Sequence, residues 1–146
     1  MTTFERDVRA AVYRHFLDTG GAPGPEDLAV GLHASVDTVR SALQALADDH
    51  ALVLLPDGES IRMAHPFSGV ATDSVVTIGD RTWFANCVWD GFAIVGLLGG
   101  TGRVSTHSPA TGAPIVFEVA DHAVHGEAIA HFLVPAAHFW DDIGYT

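Results

Sequence analysis

The sequence predicts an α+β protein, a winged-helix-like helical N-terminal lobe packed on a small mixed β-sheet lobe, and three observations carry that prediction. Apolar residues recur at helical spacings through the first third of the chain. From residue 74 the pattern changes to short β-branched and aromatic runs bounded by glycine, proline and aspartate, which is how strands read. Between the two, His65-Pro66-Phe67-Ser68-Gly69 marks a shift in composition that reads as a link, dividing the chain into residues 1–66 and 67–146.

Each element follows from local pattern. Residues 3–17 place Phe4, Val8, Ala11, Val12 and Phe16 on one stripe, with Thr3 as the expected N-cap and Gly20-Gly21 as the stop. Pro25-Glu26-Asp27 opens a second helix, since proline suits the first helical position and carboxylates suit the positive end of the helix dipole. Leu28, Ala29 and Leu32 give it a buried face, and it ends near His33. Ser35 caps a third helix carrying Val39, Leu43, Leu46 and Ala47. A strand at Leu52-Val53-Leu54-Leu55, a turn at Pro56-Asp57-Gly58 and a strand over residues 61–64 complete the order of a winged helix-turn-helix.

In the second lobe, strands over residues 74–78 and 81–85 flank a Gly79-Asp80 turn. Residues 88–98 are apolar nearly all round, which predicts a buried helix, loosened by Gly91 and Gly96 and stopped at Gly99-Gly100-Thr101-Gly102. That glycine cluster is no phosphate loop, because the helix precedes it and no Gly-Lys-Ser/Thr follows. Further strands are expected at 103–107, 115–120 and 129–134, with residues 109–114 as a hairpin loop. Pro135 opens a final segment with Phe139, Trp140 and Ile143 on its apolar side.

Composition narrows the function. With 48% hydrophobic and 17% charged residues in 146, the chain is too apolar for disorder. Its longest apolar run, residues 92–100, is too short to cross a bilayer, so no membrane partner is expected. Glu5, Arg6, Asp7, Arg9 and Arg14 break up the apolar positions of the N-terminus, which excludes a signal-peptide reading and makes a cytoplasmic protein the expectation. Net charge is -11, with seven Lys+Arg against eighteen Asp+Glu, a balance that repels phosphate backbones. The third helix offers Arg40 against Asp37, and the hairpin Arg62 against Asp57 and Glu59. The helical lobe therefore reads as a packing module with no nucleic-acid partner, a transcriptional regulator being the alternative.

The chemistry converges on Cys87, the single cysteine, with Asp90 three residues on. If the residues after Cys87 are helical, that spacing puts thiol and carboxyl on one face. One cysteine allows no internal disulfide and no all-cysteine zinc site. Lone cysteines are most often small buried hydrophobes. Here the neighbouring carboxylate and the aromatic surroundings, Trp83, Phe84, Trp89 and Phe92, suggest a reactive pair, the aromatics being core residues first and pocket walls second. His107 and Ser108 would border the same pocket. His122 with His125, or His131 with His138, would be candidate zinc ligands, but His-Glu-x-x-His is absent and loop histidines are usually solvated. A triad of Ser105 or Ser108, His107 and Asp90 lacks the Gly-x-Ser-x-Gly elbow of a hydrolase.

The run Gly79-Asp80-Arg81-Thr82-Trp83-Phe84-Ala85-Asn86-Cys87-Val88-Trp89-Asp90 is followed by Arg103-Val104-Ser105, Pro109-Ala110-Thr111-Gly112 and Phe139-Trp140-Asp141-Asp142-Ile143-Gly144-Tyr145. Together these resemble the alkylmercury lyases, also called organomercurial lyases, and the likeness extends to the helical lobe. The resemblance implies protonolysis of a carbon–mercury bond, giving hydrocarbon and mercury(II). It implies Cys87 as the thiolate that takes the metal and Asp90 as the acid that delivers the proton. No cofactor is required: mercury is substrate and product, low-molecular-weight thiols are co-substrates, and a mercury-accepting reductase is an expected partner. The physical logic is independent of the resemblance, since soft mercury prefers thiolate sulfur and thiolate donation makes the bound carbon easier to protonate. Burial among the aromatics would keep a proton on Asp90, whereas a helix N-terminus would favour its release.

Two departures from the family pattern are visible. The family uses a second cysteine shortly after an Asp-Ile-x-x-Thr segment, and here Thr146 is the last residue of the sequence. The chain is therefore expected to be a truncated lyase, to borrow an external thiol, or to bind thiols and metals without cleavage. Members also often carry cysteine where this sequence has Ser108, a change expected to affect packing more than chemistry.

Overall fold

The computed structural model describes residues 1–129, 132 and 134–144. Helices α1 (Thr3–Thr19), α2 (Pro25–Leu32) and α3 (Val36–Asp48) come first. Strands β1 (Val53–Leu54), β2 (Ile61–Ala64) and β3 (Phe67–Ser68) follow, then β4 (Val75–Ile78), β5 (Arg81–Phe84), α4 (Val88–Leu97), β6 (Gly102–His107), β7 (Pro114–Ala120) and β8 (Ala123–His125). A 3-10 helix spans Ala136–Asp141.

The caps explain where the helices begin. Thr2, not Thr3, caps α1: its hydroxyl accepts from the Glu5 amide at 3.2 Å while the Glu5 carboxylate accepts from the Thr2 amide. This reciprocal capping box needs the acid three residues on, and Glu5 stands three after Thr2, not after Thr3. Ser35 caps α3 and Pro25 opens α2, as the sequence predicts. Val8, Val12 and Phe16 form the buried stripe of α1, and Phe16 stacks on Phe67 with ring centroids 5.2 Å apart.

The strands form two sheets, ordered β1-β2-β3 and β5-β4-β6-β7-β8. Every pairing is antiparallel, which corrects the expected mixed sheet. Two-residue turns join β4 to β5 and β7 to β8, and a six-residue hairpin loop joins β6 to β7, connections too short for a crossover to a parallel neighbour. The segment read as a link is a seam instead. Phe67 and Ser68 pair with β2, and Phe67 also bridges Ala85 just beyond β5. One apolar cluster runs from Val8 and Phe16 through Phe67 to Val76, Ile94 and Val104.

Strand β5 also closes the end of α1. Trp83 Nε1 donates to the Phe16 carbonyl at 2.8 Å, a second bond beside that from the Gly20 amide, and the Arg81 guanidinium donates to the Leu17 carbonyl in the last turn of the helix. Gly20, at φ 83°, ends the helix against the Thr82 carbonyl, where a Cβ would sit 2.6 Å from that oxygen.

Helix α4 lies on β4 and β6 through Gly91, Ile94 and Val95. It is not buried all round, as its sequence suggests: Trp89 and Leu97 are 61% and 68% exposed. The sheet supplies one apolar layer, so only one face of the helix is covered. Strand β8 is unanticipated, and it occupies the edge of β7. The strand expected at 129–134 is not seen at Ile129, Phe132 or Val134, and Ala130, His131 and Leu133 lie outside the described residues. So do Tyr145 and Thr146 at the end of the expected C-terminal motif. Among the described residues no helix is long and apolar enough to cross a membrane.

Candidate active site

The site begins where β5 ends. The Ala85 amide bonds the Ser74 carbonyl at 2.9 Å, and the Thr72 hydroxyl donates to the Ala85 carbonyl at 2.6 Å, fixing the chain just before it turns into α4. Cys87 is the N-cap of that helix, with extended backbone (φ -149°, ψ 176°). Its carbonyl accepts from the Gly91 amide at 3.0 Å, so the first turn starts at once and the spacing of three carries Cys87 and Asp90 to one end of α4.

Cys87 is exposed and unpaired in any disulfide. Desolvation by the protein on its inner side raises the thiol pKa above its ordinary value, and the Asp90 carboxylate pushes the same way. The first-turn amides of Asp90 and Trp89 pull against both, without forming a full capping hydrogen bond to the sulfur. The net direction is upward, so at neutral pH the free thiol keeps its proton.

Asp90 is held from the turn between β2 and β3. Asn86 Nδ2 donates to Asp90 Oδ2 at 3.0 Å and to the Pro66 carbonyl at 3.2 Å, and lies 3.2 Å from His65 Nδ1. His65 Nδ1 is itself 3.6 Å from Asp90 Oδ2, and Tyr13 donates to the His65 carbonyl at 2.9 Å. Asn86 Oδ1 is buried without a partner, an arrangement that costs about 1–3 kcal/mol. Trp140, on the 3-10 helix, stacks on His50 at 4.1 Å and meets His65 edge-on at 6.2 Å. Arg62 donates to the Gly144 carbonyl at 3.1 Å and ties the same segment to β2.

The remaining candidates separate. Trp83 is in the core under α1, 3% exposed, and does not wall the site. Trp89 stands on the outer face of α4 in edge contact with Phe92 and Phe132, and Phe92 packs edge-on against Phe117. His107 and Ser108 lie at the β6–β7 hairpin, where His107 pairs with Pro114 and Ser108 bonds Ala113. The β5-β4-β6 order puts that hairpin at the same end of the sheet as Cys87, two strand spacings or about 10 Å across. His122 bonds the Gly100 carbonyl, His125 pairs with Glu118 on β8, and His138 pairs with Asp141 at 2.9 Å. His131 lies outside the described residues. Among the described residues no group of three or more His, Cys, Asp or Glu side chains is arranged to hold a metal ion.

Two open depressions of about 350 Å³ take in neither Cys87 nor Asp90. One lies over Arg6, Arg9 and Tyr13, the other over Thr77, Arg103 and Glu118. Neither holds a thiol, and in the second Glu118 is engaged by Arg103 at 2.7 Å, so the chemistry points to the exposed rim at Cys87. Sequence reasoning missed Asn86 and His65. Asn86 carried a signal, four residues before Asp90, whereas His65 is brought in by the pairing around β3 and had none.

No curated protein matches the chain. The crystal structure of the mercury-bound form of MerB2 superposes with a TM-score of 0.67 at 22% identity. The match covers 86% of this chain and 60% of that one, so the chain spans about three-fifths of that protein's length. This likeness shows a shared α+β fold. The family model for alkylmercury lyases matches residues 67–145, which is more than half of the sequence and includes Cys87 and Asp90. On that match the chain belongs to the alkylmercury lyase family.

Proposed function

We propose that the chain is a carbon–mercury lyase that cleaves thiol-bound organomercurials, with Cys87 as metal acceptor and Asp90 as proton carrier. The observation that carries this reading is an exposed thiol at the N-cap of α4 with a carboxylate one turn on. Mercury binding requires the thiolate, so the thiol must give up its proton as the metal arrives. Asp90 is the neighbouring base that takes it.

In the proposed sequence R–Hg–SR′, with SR′ a small thiolate, is attacked by the Cys87 sulfur while the thiol proton passes to Asp90. Asp90 then delivers that proton to the mercury-bound carbon. The carbon–mercury bond breaks, R–H leaves, and Cys87–S–Hg–SR′ remains. A second small thiol exchanges onto the metal, releasing mercury as its dithiolate and returning a proton to Cys87. Mass and charge balance without a second protein cysteine, which the 146 residues do not contain. Low-molecular-weight thiols are co-substrates here, a mercury reductase would be a fitting acceptor, and a cytoplasmic location fits the need for reduced thiols.

The test is benzene release from phenylmercury under excess small thiol. Release that disappears in Cys87→Ser and in Asp90→Ala supports the reading, and equal release in all three proteins refutes it. The single cysteine favours a second reading, a thiol-dependent mercury binder, for which phenylmercury uptake at one equivalent without benzene would be the result. A transcriptional regulator is opposed by charge. Arg40, the one cation of α3, is engaged by Glu26, Asp37 and Glu59 at 3.0 to 3.5 Å, leaving that helix nothing to offer a phosphate.

A further inference from the structure

We propose that Asn86 is a positioning residue for Asp90, and that the seam residues His65 and Pro66 aim its amide. This rests on the reading of Asp90 as proton carrier. The side-chain amide has two hydrogens and three partners clustered on its nitrogen, the bond to Asp90 Oδ2 being the shortest at 3.0 Å. The Pro66 carbonyl can only accept, so it fixes which end of the amide faces the cluster. Turning the amide over would set Asn86 Oδ1 against the Pro66 and Asp90 oxygens. The orientation is retained although it leaves Oδ1 buried without a partner.

The consequence is a carboxylate whose position depends on both lobes. Pro66 belongs to the turn between β2 and β3, and Tyr13 of α1 bonds the His65 carbonyl. Asn86 leads into α4. The helical lobe therefore contributes more than packing: through the seam it sets which Asp90 oxygen is tethered and which remains open to accept and return a proton. How much mercury Cys87 holds at equilibrium depends on its sulfur, whereas the rate of proton transfer depends on where Asp90 sits, so the extent of metal uptake and the rate of proton delivery are separable in this fold.

Asn86→Leu keeps side-chain size and removes the amide. In the intact chain with phenylmercury and excess small thiol, kcat for benzene release should fall about ten- to hundredfold, the loss of one hydrogen bond to a charged group. KM and the one-equivalent uptake of phenylmercury should stay within about twofold of the unsubstituted protein. A purely structural role for Asn86 predicts instead that uptake and thermal stability fall together with release. An unchanged kcat overturns the proposal. A second measurement needs no turnover: in the mercury-free protein, Asp90→Ala should move one of the two Asn86 side-chain N–H resonances in a 15N–1H correlation spectrum and largely spare the other, which Pro66 holds. If neither moves, Asn86 does not hold Asp90 and the proposal is overturned. If the unsubstituted chain releases no benzene, the lyase reading fails by itself, and the resonance shift alone decides whether Asn86 tethers the carboxylate.

Discussion

Gly91→Ala and Gly96→Ala put the same methyl group on the same helix and should move stability in opposite directions. At Gly91 a Cβ would lie 2.7 Å from Val104 Cγ1 and 3.4 Å from Val76 Cγ2, both in fully buried side chains. Valine is stiff at χ1, and the strand backbones beneath are paired on both sides, so neither methyl can swing away cheaply. Overpacking of this kind costs about 1–3 kcal/mol, and removing a glycine from a helix returns about 1 kcal/mol. With the clash near the upper end, the net loss is about 2 kcal/mol, or roughly 4–8 °C in Tm for a chain of this size. At Gly96 nothing lies within 4 Å, so only the helix gain remains, about 0.5–1 kcal/mol near the helix end. Thermal unfolding followed by circular dichroism measures both. If Gly91→Ala stabilises as Gly96→Ala does, α4 is not seated on β4 and β6 as described, and the placement of Asp90, the residue before Gly91, falls with it.

Further outcomes follow from the electrostatics of the thiol and from the contact of β5 with α1. The rate of Cys87 alkylation by iodoacetamide should rise with pH through a midpoint above that of an ordinary thiol, and Asp90→Asn should lower it by removing a like charge. Because folding raises this pKa, the stability it contributes is present below the unfolded thiol's pKa and is lost as pH rises through the folded value, so Cys87→Ser should flatten stability on the alkaline side; a midpoint below the ordinary value would contradict the site geometry. Trp83→Phe removes the bond to the Phe16 carbonyl, which keeps the Gly20 amide as a partner, and should cost about 1–2 kcal/mol in denaturant unfolding. No change would mean that β5 does not brace α1.

What was legible in the sequence was local. The stripe of α1, the Ser35 cap, Pro25 at the head of α2 and the thiol and carboxyl three residues apart are all written within one or two helical turns. What escaped depends on distant chain. Trp89 and Leu97 look like core residues until the sheet proves to cover only one face of α4. Strand β8 escaped because its turn uses Asp121 and His122 at positive φ, 49° and 64°, where a reader looks for Asn-Gly. His65, 21 residues from Asn86, reaches the site only because β3 folds back on β2 and bridges Ala85.

The three tryptophans stand in three different surroundings: Trp83 buried between α1 and β5, Trp140 stacked on a histidine, Trp89 exposed two residues from the sulfur. Their emission should therefore separate by wavelength, with the exposed indole at the red end and the buried one at the blue. Mercury is a heavy atom that quenches excited indoles at close range, and on Cys87, where we propose it binds, it would lie beside the reddest of them. Loading of the proposed site would therefore dim the red edge of the emission first, while the buried Trp83 at the blue edge reports on the packing of β5 against α1.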